Sequence, residues 1–278
     1  MTPTEAKLDA LVARIRGYGS VVVAFSGGID SALVLRCALL ALGPAKVLAA
    51  TSRSASVAQR ELHDAARVAV EIGAAHRFVE TREFDDPEYL ANPVNRCYYC
   101  KTELYSLLVA LARDLGFATV ASGVNKDDLG DFRPGLTAGQ EHAIRTPLAD
   151  EGLTKADVRD LAAHLGLSIH DKPASPCLSS RVQYGESITP EKLRRIEAAE
   201  SFLRSLGFSD CRVRHHDTLA RIEVPVGEVE RLAAPAVRAK IDAQFRTLGY
   251  QYVTLDLRGL RSGSMNEVLL GRALERHL

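Results

Sequence analysis

The sequence predicts an α/β protein: a doubly wound parallel sheet followed by a smaller C-terminal α+β domain. Three observations carry this. The apolar run Val21-Val22-Val23-Ala24-Phe25 breaks into Ser26-Gly27-Gly28-Ile29-Asp30-Ser31 and at once into a helical stripe, the order of a buried parallel strand, a tight turn and a helix. Short β-branched runs then alternate with helical patterns, which calls for a parallel sheet with helices on both faces. After the proline- and serine-rich stretch from Asp171 to Arg181 the rhythm changes to α-β-β-α-β. The expected boundaries are residues 1–175 for the first domain and 186–278 for the second.

Taken in order, Thr2-Pro3-Thr4-Glu5 is a capping box with proline at the first helical position, and Leu8, Leu11, Val12 and Ile15 follow at helical spacing. Strands are expected at Val21–Phe25, Lys46–Ser52, His76–Glu80 and Phe117–Ser122. Between them lie a helix on Leu33–Leu39, a long helix over Ser56–Gly73, and one marked by Leu104, Leu107, Leu108 and Leu111 and closed by Gly116. In the second domain Thr189-Pro190-Glu191 opens a helix to Gly207. Paired strands follow at Cys211–His215 and Leu219–Val224, then a helix over Val226–Leu248 and a last strand over Gln251–Leu257.

The Ser26–Ser31 turn is the strongest chemical signal. Two glycines allow left-handed backbone, so that successive N–H groups converge, and the positive end of the following helix favours an anion. Ser26 and Ser31 add hydroxyls, and Asp30 is placed to hold Mg²⁺. No Gly-Lys-Ser/Thr follows, so this is not a Walker A loop, and the dinucleotide Gly-x-Gly-x-x-Gly is absent. A second constellation, Ser122-Gly123 through Asp127, Asp128, Asp131 and Arg133 to Gly135, sits where an α/β sheet displays its ligands. Gly123 permits close backbone approach, Asp128 is assigned to Mg²⁺ with Asp30, and Lys126 or Arg133 would neutralise phosphate.

Composition bounds the partners. The chain of 278 residues has 46% hydrophobic and 25% charged residues and a formal net charge of zero, that of an ordinary globular protein without a general attraction to nucleic acid. It shows no secretory signal and no apolar run long enough to span a membrane, and its five cysteines fit thiols kept reduced in the cytoplasm. Cys97-Tyr98-Tyr99-Cys100 fits a redox pair, half a zinc site or two ligands of an iron–sulfur cluster. Cys37 and Cys211 lie in apolar patterns and are expected in cores. Cys177, in a loop before Leu178-Ser179-Ser180-Arg181, has no packing reason to be a thiol and suits a nucleophile or a metal ligand. Arg212 and Arg214 share one strand face and suit a phosphate or carboxylate, with Glu200 and Glu223 either balancing them or binding metal.

The Ser-Gly-Gly-Ile-Asp-Ser stretch resembles the PP-loop of the ATP pyrophosphatases, the adenine nucleotide alpha hydrolase-like enzymes that split ATP between its α- and β-phosphates. Together with Asn95–Lys101, Ser122–Gly135, Lys172–Arg181, Cys211–Asp217, Arg221–Pro225 and Thr254–Glu267, it is similar to the LarE family, ATP-dependent sulfur transferases that build the nickel-pincer nucleotide cofactor of lactate racemase. The resemblance implies that Ser26, Gly27, Gly28, Asp30, Ser31, Ser52, Gly123 and Asp128 bind ATP and Mg²⁺. It implies that Arg181, Glu200, Arg212 and Arg214 bind a pyridinium-dicarboxylate mononucleotide. It further implies that Cys97, Cys100 and Cys177 hold a [4Fe–4S] cluster whose free iron carries sulfide from a donor, that one carboxylate becomes a thiocarboxylate, and that six copies assemble. Other family members instead give up the sulfur of the cysteine matching Cys177.

Overall fold

The computed structural model describes residues 2–130, 134–173 and 175–261. Asp131 and Arg133, assigned above to the acidic loop, and the part of Thr254–Glu267 beyond Arg261 lie outside the described residues. The chain divides into two compact units, residues 1–89 with 93–175, and residues 90–92 with 176–278.

The first unit runs α1 (Pro3–Arg16), β1 (Val21–Ala24), α2 (Ile29–Leu42), β2 (Val47–Arg53), α3 (Gln59–Ile72), β3 (Ala75–Glu80), α4 (Pro87–Leu90, whose last residue belongs to the second unit), α5 (Arg96–Asp114), β4 (Thr119–Ala121), α6 (Pro134–Glu141), α7 (Pro147–Asp150) and α8 (Lys155–His164). Its four strands are all parallel, in the order β3-β2-β1-β4. The alternation of β1 explains the two layers. Val21 and Val23 face a core with residues of α1, α2, α3 and α8, while Val22 faces a second core with Leu104, Tyr105 and Leu108 of α5 and Ala138 of α6. The sheet is therefore doubly wound. Its strand order reverses between β1 and β4, where open α/β sheets bind ligands.

Local chemistry sets the element ends. Thr2 caps α1 and Glu5 returns the bond to the Thr2 N–H, the full capping box. The helix expected from Ser56 begins instead at Gln59. The Ser54 and Ser56 hydroxyls both donate to the Glu83 carboxylate, and the Val57 N–H bonds the Ser54 carbonyl, so a turn is tied off first. Helices α6, α7 and α8 lie in a stretch for which no elements were expected; α8 starts with its own capping box, Thr154 with Asp157.

The second unit comprises α9 (Pro190–Ser205), β5 (Arg212–His216), β6 (Leu219–Glu223), α10 (Val229–Ala233), α11 (Pro235–Thr247) and β7 (Tyr252–Leu255). β5 pairs antiparallel with β6, and β7 parallel with β6. Val213, Ala220 and Ile222 from one face of this sheet pack with Ala199, Leu203, Ile241 and Phe245 of the helices. The continuous helix expected over Val226–Leu248 is broken in two. Pro235 has no N–H to donate and holds Ala234 extended at ψ 138°, so α10 stops and α11 starts afresh. Among the described residues no helix is long and apolar enough to cross a membrane.

Candidate active site

The turn after β1 is built for close approach. Gly27 adopts φ +70°, and a Cβ there would lie 2.8 Å from the Ala65 Cα on α3, so both backbone angle and space require glycine. Gly28 does not share the left-handed conformation expected of both glycines: at φ −87° it is the N-cap of α2, and no side chain caps that helix. The open N-terminus is therefore available to an anion. Ser31 folds back to donate to the Gly28 carbonyl at 3.0 Å and accepts from the Ser26 N–H at 3.2 Å, which fixes the turn from inside.

Gly123, after β4, has a different reason from nucleotide approach. A Cβ there would meet the Ser31 nitrogen at 2.6 Å and the Asp30 carbonyl carbon at 2.8 Å, so the strand end presses directly on the first turn of α2. Gly123→Ala is expected to destabilise the protein by about 1–3 kcal/mol, the usual cost of overpacking, and to lower ATP turnover because the first turn of α2 must shift. Thermal denaturation alongside turnover checks this; an unchanged melting temperature would contradict the contact.

Asp30 lies in that first turn and is already engaged. Its Oδ1 accepts from Asn125 Nδ2 at 3.0 Å, and its Oδ2 forms an ion pair with Lys155 at the start of α8. Asp128 accepts the Asn125 N–H at 3.0 Å, and Asp127 accepts the Lys155 N–H at 2.8 Å. The acidic loop, the PP-loop and α8 thus form one polar cluster, with Asn125 and Lys155 as members that sequence reasoning did not assign. The capping box Thr154–Asp157 was the available signal that a helix begins at Lys155. Carboxylate oxygens are the donors that Mg²⁺ takes, but Lys155 occupies one oxygen of Asp30, and among the described residues no three or more His, Cys, Asp or Glu are gathered here as a metal site. Ser52 sits on β2 in register with Val79.

In the second unit Arg181, Glu200, Arg212 and Arg214 come together. Arg181 and Glu200 are both buried and bond at 2.9 Å, and Arg181 also holds the Pro176 and Cys177 carbonyls. Burial would lower the Arg181 guanidinium, but the Glu200 carboxylate more than reverses this and its pKa is raised. Burial would likewise raise Glu200, and Arg181 with Arg204 holds it below the usual range. Buried Arg214 donates to Glu223 at 2.8 Å and to the Ser180 carbonyl at 3.0 Å. The two glutamates therefore balance arginines. Arg212 is pushed down, first by burial and then by the positive charges of Arg181 and Arg214. Glu200 and Glu223 draw Arg212 the other way, so the cluster is one of mixed charge.

The cysteines divide by exposure. Cys37 and Cys211 are buried, and burial pushes the Cys37 thiol up to about 12. Cys97 is exposed and Cys100 half-buried, one turn apart at the start of α5; Cys177 is exposed at the head of its loop. Three accessible thiols suit an iron–sulfur cluster chemically. Among the described residues, no three or more His, Cys, Asp or Glu are already gathered as a metal site.

The NAD synthase family model matches residues 4–86, the stretch that contains the PP-loop. The pyridinium-3,5-bisthiocarboxylic acid mononucleotide synthase of Lactiplantibacillus plantarum is 40% identical over 97% of this chain and 97% of its own length. The chain belongs to that family. An uncharacterised protein of Synechocystis sp. is 46% identical over 95% of the chain and 98% of its own length. A tRNA-specific 2-thiouridylase of Azorhizobium caulinodans is 34% identical over 65% of the chain and 55% of its own length. The synthase family thus spans both units, whereas the thiouridylase likeness spans only part of the chain.

Proposed function

We propose that this synthase-family chain is an ATP-dependent sulfur transferase of nickel-pincer cofactor synthesis. It adenylates a carboxylate of a pyridinium-dicarboxylate mononucleotide and converts it to a thiocarboxylate. The gathering of Arg181, Arg212 and Arg214 beside Glu200 and Glu223 carries the reading, because guanidinium groups set together suit the phosphate of a mononucleotide.

The backbone of Ser26–Ser31 and the open end of α2 hold the departing pyrophosphate, with Asp30 and Asp128 as the residues that would hold Mg²⁺. Arg212 and Arg214 bind the substrate phosphate, with Glu223 holding Arg214 and Glu200 holding the neighbouring Arg181. The substrate carboxylate oxygen attacks the α-phosphorus and pyrophosphate leaves. Sulfur then attacks the acyl carbon and AMP leaves with the former carboxylate oxygen. A carboxylate is a poor electrophile until AMP becomes its leaving group, which is why the two sites serve one reaction. A [4Fe–4S] cluster bound by Cys97, Cys100 and Cys177 would supply the sulfide nucleophile, refilled by an external donor.

Arg214→Ala is expected to weaken mononucleotide binding by about 1.5–3 kcal/mol, the worth of hydrogen bonds to charged groups, with ATP affinity little changed. Titration calorimetry with each ligand checks this, and equal loss for both would remove Arg214 from the substrate site. The function itself is tested anaerobically with ATP, Mg²⁺, the mononucleotide and sulfide. Pyrophosphate, AMP and thiocarboxylate should appear in equal amounts; pyrophosphate release that ignores the mononucleotide would contradict the reading.

A further inference from the structure

The turn from Phe25 to Ser31 contains no lysine or arginine. Its backbone N–H groups and the end of α2 offer a pyrophosphate group only partial positive charge, equivalent to about half an elementary charge for the helix end. A Walker A loop meets the same demand with a lysine of its own. Here a full positive charge arrives from far along the chain. Lys155 stands 125 residues after Asp30, and its ammonium bonds Asp30 Oδ2 in the first turn of α2.

The backbone of Lys155 is anchored. Its N–H donates to Asp127 Oδ2 at 2.8 Å, and the Thr154–Asp157 capping box fixes the start of α8. Val158, Leu161 and Ala162 then bury α8 in the same core as Ala32, Leu33 and Leu35 of α2, so the two helices are held together. The Lys155 side chain is 35% exposed, against 24% for Asp30, so its end is open to a ligand. An ammonium has three donors, and among the described residues Asp30 takes one of them. A carboxylate oxygen has two lone-pair sites, so Oδ2 can keep this bond while accepting another. Asn125 Nδ2 bonds Asp30 Oδ1 at 3.0 Å, which fixes the carboxylate and with it the direction of the ammonium.

We propose that Lys155 is a catalytic residue of the adenylation step: aimed by Asp30, its ammonium donates to the β- and γ-phosphates of ATP as they leave. As the bond from the α-phosphorus to the bridging oxygen breaks, its electron pair passes to the pyrophosphate. A preorganised ammonium beside that group is worth more in the transition state than in bound ATP. The inference deepens the reading of the PP-loop as the pyrophosphate site and rests on it. It also gives Asp30 a further task, that of orienting Lys155.

The test uses Lys155→Gln, which removes the charge but keeps an N–H for Asp30, and Lys155→Arg, which keeps the charge. Titration calorimetry of the full-length protein with magnesium pyrophosphate and, separately, with AMP reads the contact, because AMP lacks the two phosphates concerned. In Lys155→Gln the pyrophosphate dissociation constant should rise about tenfold or more, as expected for hydrogen bonds from a charged group, with AMP affinity unchanged. Lys155→Arg should keep most of its pyrophosphate affinity. Mononucleotide-dependent pyrophosphate release should fall about 10²–10³-fold in Lys155→Gln, the loss seen when one preorganised donor is removed. Unchanged pyrophosphate affinity or release in Lys155→Gln, or equal loss for pyrophosphate and AMP, would overturn the inference. A wild type that binds pyrophosphate through Lys155 but releases none in response to the mononucleotide would overturn the substrate reading alone and leave Lys155 in its place.

Discussion

Replacing any one of Cys97, Cys100 or Cys177 by Ala is expected to abolish repeated sulfur transfer while leaving mononucleotide-dependent pyrophosphate release intact. Two thiolates are too few for a cluster that already lacks a fourth protein ligand. None of the three thiols is buried as a core residue, so the variants should fold. Iron and sulfide analysis of anaerobically purified protein should give loss of the cluster in all three. The competing chemistry uses the Cys177 sulfur itself. In that case Cys97→Ala and Cys100→Ala would keep one turnover per chain, and the spent protein would be lighter by about 34 Da as thiol becomes dehydroalanine, visible by intact-mass spectrometry. A mass loss matching the product formed would rule out the cluster as sulfur carrier.

Asp30→Ala should lower pyrophosphate release by about 10²–10³-fold or more, the scale of removing one preorganised electrostatic group. The stability cost should be far smaller. Asp30 sits at 24% side-chain exposure, its ion pair with Lys155 is solvent-screened, and its favourable place at the helix N-terminus is worth only about 0.3–1 kcal/mol. Turnover measured with a melting curve separates the two effects. A variant that melts normally and releases pyrophosphate at the wild-type rate would take Asp30 out of the chemistry.

Much of the first unit was legible because local signals agreed there. The run Val21–Phe25, the Gly-Gly turn and the helical stripe after it are all short-range, and they place the PP-loop at the end of β1. Arg212 and Arg214 could be put on one strand face by the period of two alone. What the sequence withheld was long-range or a matter of fine backbone competition. Lys155 reaches Asp30 across most of the unit, and no pattern near either residue announces the pair. The need for glycine at 123 comes from a helix turn some ninety residues earlier. Asn92 looks like an ordinary turn residue, yet its side-chain amide donates to three carbonyls far along the chain. Pro235 stands in plain view within the helix expected over Val226–Leu248, and it is what divides that stretch in two.

ATP that activates the substrate carboxylate leaves a different isotopic trace from ATP merely hydrolysed beside it. Mononucleotide labelled with oxygen-18 in its carboxylates tests this most directly, with the AMP product read by mass spectrometry. One labelled oxygen should pass into the phosphate of AMP for each thiocarboxylate formed. AMP carrying no label, with thiocarboxylate still produced, would contradict it.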